Sequence, residues 1–163
     1  MRHQGKTTIY LHLGKFQPAK VGNFQSAQTE EFSTGTDTFR VHTTLGPGLL
    51  ESVYQTVLAY ELGRRGLRAV SQQAVPVVYD GIRIDTGFRA DLVVEDKVIV
   101  EIKSVEVLLP VHKKQLLTYL RLADKRLGLL INFQVALIKD GITRIVNGLE
   151  DDDHAKSPSR KDA

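Results

Sequence analysis

The chain lacks cysteine altogether and contains no long apolar run. Without cysteine, disulfides, thiolate zinc sites and cysteine nucleophiles are all excluded. This absence fits a reducing cytoplasm, which is where we expect the protein to reside. No stretch approaches the roughly 18 apolar residues that are needed to cross a bilayer, so no membrane partner is expected. The basic segment 1–20 lacks the apolar core of a signal peptide.

No sign of charge dominates the chain, whose net charge is +3. This excess is compatible with a polyanionic partner but does not by itself indicate one. A length of 163 residues, with 42% hydrophobic and 25% charged, favours one globular domain with tails. Residues 1–40 are expected to be atypical and poorly ordered, with a short strand or hairpin arm within Lys6–Phe16 and loop elsewhere. Residues 41–149 carry the regular pattern of a domain, and residues 150–163 form a charged tail that we expect to be disordered.

Two helices are predicted within residues 41–149. The segment Gly46–Gly48 interrupts regular structure. After it, apolar residues recur at helical spacing, and Gly66 supplies a signal for the end of the helix. A second helix opens at Pro110 and runs to about Leu122. The residues expected to face the core from the first helix are Leu50, Val53, Tyr54, Val57, Leu58 and Leu62.

Extended segments lie between and after these helices. Asp80–Gly81 and Asp140–Gly141 are hairpin signals. The almost wholly apolar run Leu127–Phe133 is typical of a strand that is buried on both faces. The order of helix, three strands, helix and further strands indicates an α/β layered domain with a mixed sheet. The expected strands are Val75–Tyr79, Phe88–Val94, Val98–Lys103, Leu127–Phe133, Val135–Lys139 and Thr143–Val146.

Two acidic residues and a lysine form the most informative cluster. Side chains alternate across a strand, so Glu101 and Lys103 point to one face. If Glu95–Lys97 is the hairpin loop, the strand pairing sets Asp91 opposite Glu101, with Cβ atoms roughly 5 Å apart. Two carboxylates that face each other repel, and a divalent cation between them would remove that repulsion.

The expected cofactor is therefore Mg²⁺ or Mn²⁺. Mg²⁺ usually takes one or two carboxylates and completes its shell with water and substrate phosphate. Such an ion would activate water and neutralise charge on a phosphodiester, and Lys103 would stabilise the developing negative charge. The alternative is a charged outer face of a hairpin on which Lys103 simply neutralises Glu101. A second E-x-K, at Glu95–Lys97, is interpreted as a solvated turn.

Several motifs follow one another in a fixed order through roughly residues 41–149. The first, Gly48–Tyr54, reads G-L-L-E-S-V-Y, and the others are Arg89–Val94, Val98–Lys103, His112–Tyr119, Leu127–Phe133 and Asp140–Ile142. In this order the motifs resemble the bacterial GxxExxY protein family, which belongs to the PD-(D/E)XK nuclease superfamily. The resemblance implies a restriction-endonuclease-like core of αβββαβ order, with Asp91, Glu101 and Lys103 as the catalytic signature.

The resemblance adds three helical residues to the expected site. Glu51 would give the metal a third carboxylate, although an acid in the first turn of a helix is also favoured by the helix dipole. Gln115 and Tyr119 lie one helical turn apart and are similar to the Q-x-x-x-Y motif of RecB-like nucleases, where such residues support the site or contact nucleic acid. The alternative for Tyr119 is a half-buried core aromatic. Tyr54 is expected to pack, and His112 to be a surface or capping residue.

The chain departs from the GxxExxY family just before Gly46–Gly48. Relatives carry a largely apolar helix there, whereas Glu31–His42 has few apolar residues and a central glycine. If that helix is missing here, one face of the domain is less well covered. A domain face that is left uncovered would favour a protein partner or a homo-oligomer.

The first hypothesis is a Mg²⁺-dependent nuclease, a hydrolase acting on phosphodiesters of DNA or RNA. Clustered lysines and arginines would supply sequence-independent binding, and no helix-turn-helix or zinc-finger pattern suggests specific recognition. The alternative is a non-catalytic module that binds nucleic acid or protein on a nuclease fold. The basic residues are Arg64, Arg65, Arg68, Lys113, Lys114, Arg121, Lys125 and Arg126.

Overall fold

The structure is a computed structural model that describes residues 8–9 and 22–148, with side chains described from residue 27 onward except that of Thr86. Six strands and four helices occur within these residues. None of the helices there is long and apolar enough to cross a membrane. In chain order the elements are β1 (Thr8–Ile9), α1 (Gly22–Leu45), α2 (Glu51–Arg64), β2 (Ala69–Tyr79), β3 (Ile82–Val94), β4 (Val98–Lys103), α3 (Pro110–Leu122), β5 (Leu127–Asn132), α4 (Ile138–Gly141) and β6 (Ile142–Val146).

The strands form one mixed sheet in the order β1-β6-β5-β4-β3-β2. Strands β2, β3 and β4 are antiparallel neighbours, whereas β4 and β5 run parallel. A parallel pair needs a crossover, and α3 provides it. The expected α/β architecture, a mixed central sheet flanked by helices with an αβββαβ order from α2 to β5, is confirmed.

The sheet separates two apolar cores. One core contains α1 and α2, and the other contains α3. Side chains of β4 alternate between them, with Ile102 in the core of α1 and α2 and Ile99 in the core of α3. By this alternation, Glu101 and Lys103 belong to the face that α3 covers.

Helix α2 begins at Glu51 and ends at Arg64, as the periodicity predicts. Its buried stripe runs at intervals of four residues through Tyr54, Leu58 and Leu62. The prediction that Leu50 and Val53 face the core is wrong, because 74% of Leu50 and 38% of Val53 is exposed. Leu50 precedes the helix in an extended conformation, so its side chain leaves the stripe.

Helix α1 contradicts the prediction that the chain is loop from the end of the expected strand to about residue 40. Apart from Ala27 and Val41, its described buried residues are polar, and Thr34 and Thr38 are completely buried. Each threonine hydroxyl donates to the backbone carbonyl four residues earlier, at 2.6 Å for Thr34 and 2.8 Å for Thr38. These bonds satisfy the hydroxyls within the helix, so the small side chains can be buried without a hydrogen-bond partner on another part of the chain.

Asp37 and His42, on the same face, find partners far along the chain. Asp37 is 1% exposed, and its Oδ1 lies 2.7 Å from Nε of Arg65. Nε2 of His42 lies 2.8 Å from the carbonyl oxygen of Val135. Pairing of this kind permits polar groups to be buried. Phe32 and Phe39 of α1 point outward and are 75% and 61% exposed.

The remaining expectations concern two hairpins, a strand near the N-terminus and the C-terminal tail. The hairpin at Asp80–Gly81 is confirmed, and both residues have positive φ, 47° and 76°. The hairpin expected at Asp140–Gly141 is wrong, because Val135–Lys139 forms no strand and leads through α4 straight into β6. Only Thr8 and Ile9 of the strand expected within Lys6–Phe16 are described, as β1. The tail at residues 150–163 lies outside the described residues.

Candidate active site

Regular pairing between β3 and β4 stops just before Asp91 and Glu101. The last paired residues are Leu92 and Val100, although β4 continues to pair with β5 along its whole length. Beyond that point two carboxylates accept the backbone hydrogen bonds. The N–H of Ile102 donates to Oδ2 of Asp91 at 2.8 Å, and the N–H of Asp91 donates to Oε1 of Glu101 at 3.4 Å. The structure thus brings Asp91 and Glu101 together across the gap.

The surroundings of Glu101 oppose its ionisation. Only 5% of the residue is exposed. Burial, and next the negative charge of Asp91, raise the pKa of Glu101 to about 8, while the nearby Lys103 acts in the opposite direction. A cation beside the two carboxylates would favour the charged form of both.

Lys103 ends β4, and Glu51 reaches the residue that follows it. Oε1 of Glu51 accepts the backbone N–H of Ser104 at 3.0 Å. The hydroxyl of Ser104 donates to the carbonyl of Leu49 at 2.8 Å, which attaches the start of α2 to the end of β4. Glu51 is therefore an exposed residue at the border of the site.

Tyr54 fixes the turn that precedes Glu51. Its ring is fully buried and stacks on Phe133, with centroids 4.2 Å apart and planes 6° from parallel. Its hydroxyl donates to the carbonyl of Gly46 at 2.6 Å and accepts from the N–H of Leu49 at 3.1 Å. The packing role predicted for Tyr54 is confirmed.

The carboxyl groups suit a hard divalent cation. Two carboxylates are a sufficient protein contribution for Mg²⁺ or Mn²⁺, which accept water and phosphate oxygens at their other positions. Within residues 8–9 and 22–148, no three His, Cys, Asp or Glu side chains are grouped closely enough to hold an ion. The structure therefore groups Asp91 with Glu101, whereas the carboxylate of Glu51 is bound to the backbone of Ser104.

Gln115 and Tyr119 border the site from α3. The amide of Gln115 donates to the Tyr119 hydroxyl, which confirms that the two side chains share a face. The Tyr119 ring stacks on Phe88 of β3, with centroids 3.6 Å apart. Burial raises the pKa of Tyr119; the Gln115 bond lowers it, and the charges of Glu101 and Asp91 raise it further. Through its stack on Phe88, the Tyr119 ring packs against β3, the strand that carries Asp91.

Several of the predicted basic residues are engaged in ion pairs. Arg65 binds Asp37, and Nζ of Lys125 lies 2.9 Å from Oδ1 of Asp96. His112 has the predicted capping role, because its Nδ1 accepts the N–H of Leu109 at 3.2 Å.

Sequence analysis did not identify Gln72, Gln55 or Phe88. Gln72 of β2 donates from Nε2 to Oδ1 of Asp91 at 3.3 Å and to Oε1 of Gln55 at 2.8 Å. Its backbone has φ +52°, a conformation that no pattern in a strand sequence indicates. Phe88 enters the site only because α3 packs across β3, so its role depends on the tertiary fold.

A comparison with protein-family models supplies the family. The model described as the PD-(D/E)XK nuclease superfamily matches residues 28–145. This range runs from α1 into β6 and contains Asp91, Glu101 and Lys103. Searches of curated proteins and of solved structures found no match. The six-stranded mixed sheet with flanking helices is consistent with the restriction-endonuclease-like fold. The chain belongs to the PD-(D/E)XK nuclease superfamily.

Proposed function

We propose that the protein is a divalent-cation-dependent nuclease that hydrolyses phosphodiester bonds of DNA or RNA, and that it is a GxxExxY member of its superfamily. Membership of the superfamily suggests nuclease function. The observation that carries the proposal is the gap between β3 and β4, where Asp91 and Glu101 accept backbone hydrogen bonds in place of strand carbonyls. Lys103 follows on the same face of β4.

Asp91 and Glu101 would hold Mg²⁺ or Mn²⁺, with Glu51 assisting. When bound, the ion would supply Lewis acidity toward the phosphodiester and lower the pKa of water. Glu51 now accepts the N–H of Ser104, so its assistance requires that it give up this hydrogen bond or use its other oxygen. This requirement makes Glu51 the secondary ligand of the three.

The other site residues act on charge and geometry. The Lys103 ammonium would stabilise the negative charge that develops on the phosphoryl oxygens, or orient the attacking water. Gln115 donates to the hydroxyl of Tyr119, and Tyr119 stacks on Phe88 of β3, the strand that carries Asp91. These residues would therefore support the site rather than exchange protons.

Binding to nucleic acid would be independent of sequence. Lys113 and Lys114 directly precede Gln115 in α3 and would contact phosphates. The described elements form one sheet with its helices and include no separate recognition domain, so a protein partner or a second copy would have to supply any specificity. The absence of cysteine supports the proposed cytoplasmic location.

The test is cleavage of labelled single- and double-stranded DNA and RNA in Mg²⁺ or Mn²⁺. We expect Lys103→Ala and Glu101→Gln to lower the rate by about 10²-fold or more, with the fold intact by circular dichroism. Glu95→Gln is the matched control, because it makes the same chemical change in the second E-x-K and keeps an oxygen for the N–H of Arg68. Its rate should equal that of the wild type.

Two results would contradict the proposal. Cleavage that survives both site variants would show that these residues are not the catalytic centre. A folded protein that cuts nothing in either metal, but binds nucleic acid in EDTA, would be the non-catalytic binding module.

A further inference from the structure

Gln72 faces Asp91 across the pairing of β2 with β3. The residue pairs on either side of these two are regular antiparallel pairs. Gln72 itself has φ +52°, in the left-handed region that residues with a Cβ seldom adopt. Such a conformation lowers stability and persists only where the surroundings impose it, often at functional sites.

The side chain of Gln72 has two partners in the site. Its Nε2 donates to Oε1 of Gln55 at 2.8 Å and to Oδ1 of Asp91 at 3.3 Å. Since a carboxylate only accepts, the Gln72 amide must present its NH₂ group to Asp91, and two protons suffice for two acceptors. Gln55 lies one helical turn after Glu51, so the amide joins β2, β3 and the start of α2.

The Asp91 carboxylate is consequently held at both oxygens by neutral donors. Oδ2 accepts from the backbone of Ile102, and Oδ1 accepts from Gln72. A lysine or arginine in place of Gln72 would neutralise the carboxylate and compete with a cation. An amide fixes its direction and leaves the negative charge for the cation.

We infer that Gln72 is a positioning residue that orients the Asp91 carboxylate toward the divalent cation, at the expense of a strained backbone. The inference rests on the proposed function. It explains why a glutamine, rather than a glycine, occupies a left-handed position in the middle of β2.

The decisive variant is Gln72→Gly, which removes the amide and relieves the strain. Glycine adopts positive φ readily, so the ion-free protein should be at least as stable to urea as the wild type. Mn²⁺ affinity, measured by calorimetry without nucleic acid, should fall by about 10- to 100-fold, as is typical when a supporting partner of a ligand is lost. The turnover number should fall with it, while KM for nucleic acid changes little.

Gln73→Gly is the matched control. Gln73 is the next residue, forms a regular pair with Ala90, and is not among the residues with positive φ. This variant should lose stability and keep its Mn²⁺ affinity. Gln55→Ala, which removes the second acceptor of the Gln72 amide, provides an independent test and should lower Mn²⁺ affinity in the same direction.

The outcomes separate the inference from the proposed function. Wild-type affinity in both Gln72→Gly and Gln55→Ala would overturn the inference alone, provided that the wild type binds Mn²⁺ and cuts. Loss of stability in Gln72→Gly with unchanged affinity would likewise assign Gln72 a purely structural role. A wild type that neither binds Mn²⁺ nor cuts would overturn the proposed function, and the role of Gln72 with it.

Discussion

Glu101 is a buried acid that lies beside another acid. Burial and the charge of Asp91 raise its pKa from 4.5 to about 8. Between these two pH values the folded protein keeps a proton that the unfolded chain has released. Without divalent cations, stability should therefore decrease as the pH rises from about 4.5, and it should level off above about 8.

Glu101→Gln should remove this dependence on pH. In EDTA, we expect the variant to match the wild type near pH 4 and to be more stable at pH 9, by an amount on the order of a few kcal/mol. Urea unfolding across this pH range measures the difference. Parallel stability curves for the two proteins would show that Glu101 ionises as freely in the folded protein as in the unfolded chain.

The sequence predicts the adjacency of Asp91 and Glu101 because a three-residue loop fixes the pairing of the strands beside it. It does not predict Gln72, because a left-handed residue within a strand leaves no periodic signal. The position of Glu51 can be predicted only in part. Its helix follows from the pattern, but its hydrogen bond to Ser104 depends on how the turn at Gly46 folds against β4.

At the scale of elements, the helices α1 and α4 are the two that the sequence did not predict. Periodicity identifies helices by apolar stripes, and α2 and α3 have them, together with a glycine stop and a proline start. The described buried residues of α1 are instead mostly polar: threonines that bond to their own helix, and Asp37 and His42, whose partners lie far along the chain. Such partners become visible only when the whole chain is folded.

Gly35→Ala tests whether α1 is a helix. A Cβ at Gly35 would meet no atom within 4 Å. Alanine should therefore raise the free energy of unfolding by about 0.5–1 kcal/mol, the usual gain in a helix interior. Urea unfolding gives the value, and a loss of stability would contradict the helix.

Gly141→Ala should have the opposite effect on stability and serves as the control. A Cβ there would lie 2.2 Å from the carbonyl oxygen of Asn132, so the backbones of α4 and β5 would have to separate. We expect a loss of about 1–3 kcal/mol, as for other overpacked sites. The glycine at position 141 is thus required by the close approach of the two backbones.

At the scale of the whole molecule, the helices on both sides of the sheet contribute residues to the candidate site. Glu51 and Gln55 come from α2 on one side of the sheet, and Gln115 and Tyr119 come from α3 on the other side. The carboxylate pair lies between them, on central strands. Occupation of the site by an ion should therefore stabilise the molecule as one unit.

Mg²⁺ should raise the thermal midpoint of the wild type. At an ion concentration 100 times Kd, mass action adds about 2.7 kcal/mol to the free energy of unfolding. Glu101→Gln should show little of this gain, and Glu95→Gln should show all of it. Differential scanning calorimetry with and without Mg²⁺ measures the shifts, and equal shifts in all three proteins would place the ion elsewhere.

The hydrogen bond from Ile102 to Asp91 has a consequence for solution spectroscopy. This backbone N–H is protected by one side chain, at the point where strand pairing has stopped. Its exchange with solvent deuterium therefore reports how firmly the carboxylate is held, whereas the amides of the paired strands report global unfolding. A single amide resonance can thus follow the state of the site without substrate or turnover.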